Sequence, residues 1–498
     1  MRITLAGVLA GVLLAAVALG ATNTPIADVA MQGDMASVRT LVKEHPGEVN
    51  APQPDGSTAL LWAAYWNDPE AVKALLAAGA NVNASNRDGF TPLSQACTNG
   101  NAAMVEMLLK AGADANSFQA QGQTVLMTAA RAGNAEAVKA LLDHGAEVNA
   151  KETWRGQTAL MWATAENHPD VVQVLVDHGA EVNAVSSVFD FSGMKTKPGD
   201  VPMHFPRGGF TALLFAARGG FTGCAKILLE HGADIKTADP DGTSALVLAI
   251  INGHFDTAGF LLDNKADPNA ADQYGRAPLF AAVDMHDMYQ SNRPAPKENG
   301  KLSSLDIIKI LLARGADPNA KLTKLIPARA VLDFPDVMMG EGASPFLRAS
   351  KSSDIPVMQL LLDKGADPKV VTKGGVTALM VAAGMGYQKT DRGGEQPIEA
   401  LKICLEKGVN INAATDRTLN TALHAAAGQG TDDIVAFLAE HGAKLDAKDN
   451  KGRTPLDVAL GKQADTVGVE VHQTTADLLR KLMGPAALAT TAQNSPAQ

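Results

Sequence analysis

The side chains best suited to acid–base or metal chemistry form two short clusters. His204 lies near Asp200, and His286 lies between Asp284 and Asp287. An imidazole beside a carboxylate can hold a metal ion or move a proton. Neither cluster has a third positioned group, and the sequence contains no nucleophile elbow, P-loop or zinc-binding histidine pair. We therefore predict that the protein is not an enzyme and carries no cofactor or metal.

The cysteines and the other regularly placed histidines fit structural roles. The three cysteines occupy apolar helical positions far apart in the chain, which predicts buried thiols rather than disulfides or nucleophiles: Cys97, Cys224 and Cys404. Three histidines each precede a helix-ending glycine: His144, His178 and His231. A helix C-terminus favours a hydrogen-bond donor or cation, so we predict that they cap helices.

Composition excludes some partners and predicts an ordered protein. The 498 residues include 43 Lys+Arg and 53 Asp+Glu, for a net charge of −10, whereas nucleic-acid recognition usually needs a clustered basic surface. The 46% apolar and 19% charged residues are typical of a globular chain. Because aromatic residues make up only 4%, the core must consist mostly of Ala, Leu and Val.

A repeat with a period of 33 residues organises the chain. Its threonines fall at positions 58, 91 and 124, and the glycines that follow a Leu-rich segment fall at 79, 112 and 145. Further copies open at Thr158, Thr211, Ser244, Ala277, Ser344, Thr377, Thr421 and Thr454. With a degenerate copy that begins at Thr24, the count is about twelve. One such unit cannot bury its apolar face alone, but a stack of units can.

Each copy predicts two helices and a turn. The threonine can cap the first helix, whose Ala-Ala pair, such as Ala129-Ala130, allows close packing of neighbouring helices. The second helix carries apolar residues at helical spacing, as at Val105, Leu108 and Leu109. A Gly-Ala-Asp segment ends it, and Asn, Asp and Gly residues form a turn before the next threonine. We therefore predict an all-α solenoid of about twelve helix-turn-helix repeats with β-turn or hairpin connections.

The repeat resembles the ankyrin family through Thr91-Pro92-Leu93, Ala129-Ala130, Gly133, Leu141-Leu142 and Gly145-Ala146 and their equivalents. Two positions differ from the family pattern, and each difference leads to an expectation. The histidine that often follows Thr-Pro-Leu in the family is retained only as His424, so we expect less polar bonding between repeats. Lys265 replaces the usual glycine, so we expect a poorly defined helix end there.

The N-terminal segment predicts export. Residues 3–19 carry no charge after Arg2, and small residues permit signal peptidase to cut after Gly20 or Ala21. We predict a signal peptide over 1–21, with only a transient membrane contact, and a periplasmic or secreted mature chain. An uncleaved membrane anchor is the alternative, because the apolar segment approaches the ~18 residues that begin to permit a span.

The predicted solenoid covers residues 22–483 and is interrupted by insertions near 185–207, 286–303, 321–341, 387–397 and 463–473. Insertions in solenoids form surface loops that often contact partners. An enzyme or metal site on residues 190–207 and 286–303 is therefore the alternative function, and a passive spacer is another. Residues 484–498 lack helical periodicity and are predicted to be disordered.

The resemblance implies a non-catalytic scaffold that binds a protein or peptide, and not nucleic acid, in a concave groove. In such repeats the turn tips and the exposed ends of the first helices line that groove. Aromatic and Arg residues there are the usual carriers of interface energy. The predicted partner-binding residues are Tyr65, Trp66, Phe90, Arg131, Trp154, Arg155, Phe210, Arg218 and Tyr274.

Overall fold

The computed structural model describes residues 25–189, 208–286, 300–326, 336–386, 397–461 and 471–492. Within these ranges the regular structure is helical, and β-pairing is limited to isolated antiparallel bridges in the connections. The bridges join Phe118 to Thr124, Val188 to Gly208 and Ala238 to Ser244. The predicted all-α class is confirmed.

The chain divides after Thr153 into two compact units. Unit 1 contains four helix pairs: α1 Pro25–Met31, α2 Met35–Glu44, α3 Ala59–Tyr65, α4 Pro69–Ala77, α5 Pro92–Thr98, α6 Ala102–Lys110, α7 Val125–Ala132 and α8 Ala135–Asp143. Within it, α1, α3, α5 and α7 pack in sequence as the first helices of their repeats.

Unit 2 contains eight further pairs, so the described part of the chain holds the predicted twelve. Its helices are α9 Ala159–Ala165, α10 Pro169–Asp177, α11 Ala212–Gly219, α12 Thr222–Glu230, α13 Ala245–Ile251, α14 Phe255–Asp263, α15 Pro278–His286, α16 Ser304–Ala313, α17 Pro345–Ser352, α18 Ile355–Asp363, α19 Ala378–Ala382, α20 Pro397–Glu406, α21 Ala422–Gln429, α22 Asp432–Glu440, α23 Pro455–Ala459 and α24 Gln473–Ala492. First helices again pack on first helices, from α9 to α23.

The repeated threonine caps the first helix, as predicted. In α3 the Thr58 hydroxyl accepts a hydrogen bond from the Leu61 amide at 3.3 Å, and Thr91 and Ser94 form a reciprocal capping box in α5. Several second helices are capped in the same way by Asp or Asn. Asp68, for example, accepts from Ala71 N at 2.8 Å. Each cap satisfies an amide that the helix itself leaves unpaired.

The predicted histidine caps at the ends of second helices are confirmed. The Nδ1 atoms of His144, His178 and His231 lie 2.9, 2.7 and 2.8 Å from the backbone oxygen four residues earlier. His441 makes the same contact at 2.8 Å. Each of these oxygens also accepts from the backbone amide of the same histidine, so the imidazole adds a second hydrogen bond at the helix end.

The expectation of a poorly defined helix end at Lys265 is wrong. Helix α14 ends at Asp263, and Lys265 adopts the left-handed conformation with φ 69°. Asn264 donates its side-chain amide to Phe260 O at 2.8 Å, and Ala266 N donates to Leu261 O at 3.0 Å. These bonds close the helix end and hold Lys265 in a backbone region that L-residues rarely adopt.

The core is built from small and branched aliphatic residues, as composition predicts. Ala63, Ala64, Ala129 and Ala130 are fully buried on the first helices. All three cysteines are buried and free, which confirms their structural role. Burial raises the pKa of Cys224 to about 11 and that of Cys404 to about 12, so neither thiol is an available nucleophile near neutral pH.

Polar bonds between repeats are frequent, but they come from the turns and not from the first-helix position at which His424 alone keeps the family's histidine. The Asn83 side chain donates to Gly112 O at 2.9 Å and accepts from Asp114 N at 2.8 Å, which ties one turn to the next. The same pair of bonds recurs from Asn50, Asn116, Asn183, Asn269, Asn319 and Asn412. We call this series the asparagine ladder.

The end of the chain also differs from the prediction. Helix α24 runs to Ala492 with a break in helical geometry at Gly484, where φ is 72°. Its second part therefore enters the segment for which disorder is predicted. Pro485 is suited to the first turn of a helix and the alanines that follow are the strongest helix formers, which explains the difference. The residues outside the described ranges are 1–24, 190–207, 287–299, 327–335, 387–396, 462–470 and 493–498, which include the predicted signal peptide and parts of every insertion.

Candidate protein-binding surface

In unit 1, two large aromatic side chains are exposed at the end of α3. Tyr65 is the last residue of the helix and Trp66 is its C-cap, and they are 47% and 49% exposed. Their rings meet edge to face, with centroids 5.1 Å apart, and Tyr65 makes a similar contact with Trp62 at 5.5 Å. We call Trp62, Tyr65 and Trp66 the aromatic cluster.

Neighbouring repeats hold this cluster in place. Trp62 Nε1 donates to Gln53 Oε1 at 2.7 Å, and Gln53 Nε2 donates in turn to Asp28 Oδ1 at 2.8 Å. Trp66 lies over Gly33, where an added Cβ would be 3.4 Å from the indole. Asn99 donates its side-chain amide to Tyr65 O at 3.1 Å. Three repeats therefore fix aromatic rings that remain open to solvent.

The other two residues predicted in unit 1 lie elsewhere. Phe90 is half-buried in the turn before α5, where its amide donates to Asn86 Oδ1 at 2.9 Å. Arg131 is exposed in the last turn of α7. Both occupy the predicted kind of position, a turn tip and a first-helix end. Of the four residues, Tyr65 and Trp66 are in direct ring contact with each other.

In unit 2, four of the predicted residues form two cation–aromatic pairs. The Arg155 guanidinium carbon lies 4.1 Å from the centroid of the Trp154 ring, and Trp154 is 56% exposed. The Arg218 guanidinium carbon lies 5.2 Å from the Phe210 ring and 5.0 Å from the Phe215 ring. We call these five residues the arginine–aromatic patch.

Backbone bonds between turns fix the two halves of this patch. Ser187 N donates to Arg155 O at 2.7 Å, and Gly209 N donates to Ser187 O at 3.0 Å. Ser186 N donates to Phe210 O at 3.0 Å, and the Phe210 amide donates back to Ser186 Oγ at 2.9 Å. The turns that carry Arg155 and Phe210 are thus both bonded to residues 186–187.

Phe215 is the member of the patch that sequence reasoning missed. It is only 7% exposed in α11 and packs edge to face against Phe210, with centroids 5.4 Å apart. Sequence pattern places it among core residues, and it does belong to the core. Its second role, as a support for Arg218, follows from the helical spacing of three residues between them.

Tyr274 is more buried and makes more hydrogen bonds than a residue at an exposed turn tip would. It is half-buried, its hydroxyl accepts from Gln273 Nε2 at 3.2 Å, and its backbone oxygen accepts from Thr323 N at 2.8 Å. Burial raises the pKa of its phenol, and the negative charges of Asp241 and Asp272 raise it further. Tyr274 therefore packs among the neighbouring turns and is not a member of the arginine–aromatic patch.

A cavity of about 260 Å³ also opens near the first-helix ends in unit 2. Met338, Met385 and Val458 form its apolar lining, while Arg453 and Gln429 are among its polar lining residues. Sequence reasoning overlooked it because Met338 lies in an insertion, outside the repeat pattern.

The residues considered for acid–base or metal chemistry do not converge on one site in the described ranges. Asp284 accepts from Arg348 Nε at 2.7 Å, whereas His286 lies 2.7 Å from Ser304 Oγ and 3.1 Å from Asp354. His204, Asp200 and Asp287 lie outside the described residues. Within the described ranges, no cluster of three or more His, Cys, Asp and Glu side chains is arranged to hold a metal ion. The same ranges contain no helix with the length and apolarity needed to span a membrane.

These helices and turns define a repeat solenoid, a class whose units each contribute side chains to a shared surface. The chain belongs to the ankyrin repeat family. The family model "Ankyrin repeats (3 copies)" matches residues 26–119, 113–186, 195–272, 239–322 and 393–470. Ankyrin repeats generally mediate protein–protein interactions, and the family is typically non-enzymatic.

Individual relatives share parts of the repeat array. The cyclin-dependent kinase 4 inhibitor B of Rattus norvegicus is 30% identical over 141 residues, which is 28% of this chain and 100% of that protein. The ankyrin repeat and KH domain-containing protein mask of Drosophila melanogaster is 38% identical over 101 residues, and the match spans only 2% of that protein. The human ASB11 ankyrin repeat domain has a TM-score of 0.37 and 27% identity, covering 46% of this chain and 92% of the solved chain.

Proposed function

We propose that this chain is a non-catalytic module that binds a protein or peptide partner, with Tyr65 and Trp66 as anchoring residues. The observation that supports this most is an exposed aromatic cluster that is already held in place. Trp66 keeps 49% of its surface open while resting on Gly33, and Tyr65 is fixed against it. A surface ordered before binding loses little conformational entropy when a partner docks.

The cluster has the composition of an interface anchor. Tyr and Trp offer a large apolar area together with a polar tip, and truncation of such anchors commonly costs about 2 kcal/mol of binding free energy or more. Apolar and stacking contacts, rather than long-range charge, would carry recognition here. The proposed partner therefore presents apolar or aromatic side chains to Tyr65 and Trp66.

The test is crosslinking of the tagged chain in its own host, followed by identification and purification of the captured partner. Affinity is then measured for the wild-type chain and for the Tyr65→Ala/Trp66→Ala variant. We expect Trp66→Ala alone to weaken binding by about 1–2 kcal/mol without loss of fold. Leu482→Ala is the matched control, because Leu482 is a 38% exposed apolar residue on α24.

The result that contradicts this placement is a purified partner that binds the double variant and the wild-type chain equally. Such a partner would use the insertions or another part of the repeats. If no specific partner is found, the chain behaves as a passive spacer. Urea unfolding of every variant distinguishes a lost contact from a lost fold.

We also propose that the chain is exported, with a signal peptide over residues 1–21. The support is the uncharged segment 3–19 after Arg2 and the small residues at 20–21. Fractionation of the host together with mass spectrometry of the mature N-terminus tests this. Intact residues 1–21 on a membrane-bound protein would favour the anchor, and intact residues on a cytoplasmic protein would refute export.

A further inference from the structure

We infer that the arginine–aromatic patch in unit 2 binds a carboxylate side chain of the partner, with Arg218 as the principal contact and Arg155 as a second cation. This inference rests on the proposed protein-binding function and specifies the chemistry of the segment that docks there. The ligand is an Asp- or Glu-containing peptide segment with an apolar neighbour. The argument depends on how the two guanidinium groups are held.

Aromatic faces position the guanidinium of Arg218 without neutralising it. Phe210 and Phe215 lie 5.2 and 5.0 Å from its central carbon, and they pack edge to face against each other. Such contacts stabilise the position of a cation but leave its charge and its N–H donors in place. Stacking therefore prepares the group for a planar, two-point bond with a carboxylate.

No carboxylate of the described chain pairs with Arg218. This sets it apart from other arginines of unit 2, because Arg276 bonds Asp272 at 2.7 Å and Arg453 bonds Asp449 at 2.6 Å. Arg348 similarly bonds Asp284 at 2.7 Å. In a chain of net charge −10, an arginine held in place without a carboxylate partner is available for an external anion.

A second positive charge lies close enough to act on Arg218. Partial burial lowers the pKa of the Arg218 guanidinium, and the charge of Arg155 lowers it further. Both effects make the local environment unfavourable for a cation. An anion bound between the turns of Arg155 and Phe210 would relieve that repulsion, so charge complementarity favours an acidic ligand over a neutral one.

The neighbouring aromatic rings define the rest of the ligand. Trp154 is 56% exposed beside Arg155, and Phe210 is partly exposed beside Arg218. These surfaces suit an apolar residue next to the acidic one. An Asp or Glu side chain supplies one planar carboxylate on a short apolar stem, which fits both the guanidinium of Arg218 and these rings.

The test begins with selection of random displayed peptides on the purified full-length chain. We expect enriched peptides to carry Asp or Glu beside an apolar residue. Each enriched peptide is then synthesised in its acidic form and in the amide form, with Asn or Gln in place of Asp or Glu. By fluorescence anisotropy, the wild-type chain should bind the acidic form about tenfold to a hundredfold more tightly.

Arg218→Gln should abolish this preference between acidic and amide peptides. Arg417→Gln is the matched control, because Arg417 is an exposed turn residue of unit 2 that stacks on no aromatic ring of the described ranges, and the substitution removes the same charge. The control should retain the preference in full. Arg218→Lys keeps the charge but loses the planar donor pair, so we expect an intermediate preference.

Several results would overturn the inference. They are a selection without acidic peptides, an acidic preference that persists in Arg218→Gln, or tighter binding of a phosphoserine peptide than of its aspartate counterpart. Peptides without acidic residues whose binding falls in Tyr65→Ala/Trp66→Ala would overturn only this inference and leave the proposed function standing. If neither a peptide nor a host protein binds, both proposals fail. Equal thermal stability of Arg218→Gln and Arg417→Gln excludes unfolding as the cause of a loss.

Discussion

The Asn83 side chain donates to the backbone oxygen of Gly112, the glycine that ends the second helix of the following repeat, at 2.9 Å. The same side chain accepts from Asp114 N at 2.8 Å, so one amide pairs with both a donor and an acceptor of the next turn. Since each repeat packs mainly on its neighbours, bonds of this kind contribute directly to the interface free energy between repeats. We therefore expect the asparagine ladder to stabilise the stack of repeats, although its side chains lie in exposed turns.

We predict that Asn83→Ala lowers the free energy of unfolding by about 1–2 kcal/mol, because two hydrogen bonds between repeats are lost. Lys236 occupies the corresponding position in a unit where the ladder is interrupted. Lys236→Ala should therefore change stability by less than about 0.5 kcal/mol. Urea unfolding followed by circular dichroism measures both. Equal effects of the two substitutions would show that the ladder does not stabilise the stack.

The left-handed backbone at Lys265 gives a second prediction. The equivalent glycine of the preceding unit, Gly232, has φ 86°, whereas Lys265 holds φ 69° with a side chain. Lys265→Gly should relieve this strain and raise the unfolding free energy by about 0.5–1 kcal/mol, after the larger entropy of glycine in the unfolded chain is included. Lys265→Ala removes the charge but keeps the strain, and it should give no such gain. A gain of the same size from alanine would assign the effect to charge instead.

A third prediction concerns Asp284, which the sequence analysis considered for acid–base or metal chemistry. Asp284 is predicted to stabilise the fold through Arg348, whose side chain is only 10% exposed. Asp284→Asn should lower the unfolding free energy by about 1–3 kcal/mol, a range reduced for the partial exposure of Asp284. The exposed pair Lys373–Glu341 provides the control, and Glu341→Gln should cost less than about 1 kcal/mol. Thermal unfolding of both variants checks the contrast, which a near-zero cost for Asp284→Asn would contradict.

The sequence predicts the repeat fold well because its main determinants are local. A threonine cap, an Ala-Ala pair and a helix-ending glycine each act within a few residues, so Thr58 and Ala63 occupy the expected structural roles. The hydrogen bonds between repeats are harder to predict from local sequence. The Asn83 partner lies 29 residues away, and only the superposed turns of two repeats reveal it.

For the candidate binding residues, too, the sequence predicts positions better than contacts. Periodicity is sufficient to place Tyr65 and Trp66 at the end of a first helix, where the structure exposes both. It cannot show that Gly33 supports the Trp66 ring, or that Phe215 holds Arg218 from within the core. Tyr274 also follows the turn pattern, yet it is half-buried, and the Thr323 amide bonds its backbone oxygen. Exposure depends on adjoining turns of irregular length, which a repeat pattern does not specify.

The last prediction is a pH dependence that arises from His424. Its Nδ1 accepts from Thr421 N at 3.2 Å, and its Nε2 lies 3.1 Å from Arg453 O, so the ring is neutral with the proton on Nε2. Burial lowers its pKa below the ordinary value of 6.5, against the opposing effect of the hydrogen bond to Arg453 O. Below pH 6.5 the unfolded chain binds a proton at this site before the folded chain does. Stability from the neutral ring is therefore complete above that pH and declines as the pH falls toward the lowered value.

We expect urea unfolding at pH 7.5 and pH 5.5 to show lower stability at the acidic value, over a range in which most carboxylates remain ionised (pKa values of about 4). His424→Gln should be less stable at both pH values because it loses the bond to Arg453 O, but its pH dependence should be flatter than that of the wild-type chain. Burial likewise lowers the pKa of His254, so His254→Gln should remove a separate part of the dependence. An unchanged slope in the double variant would assign the pH response to other groups. A steeper slope would mean that the sign derived for His424 is wrong.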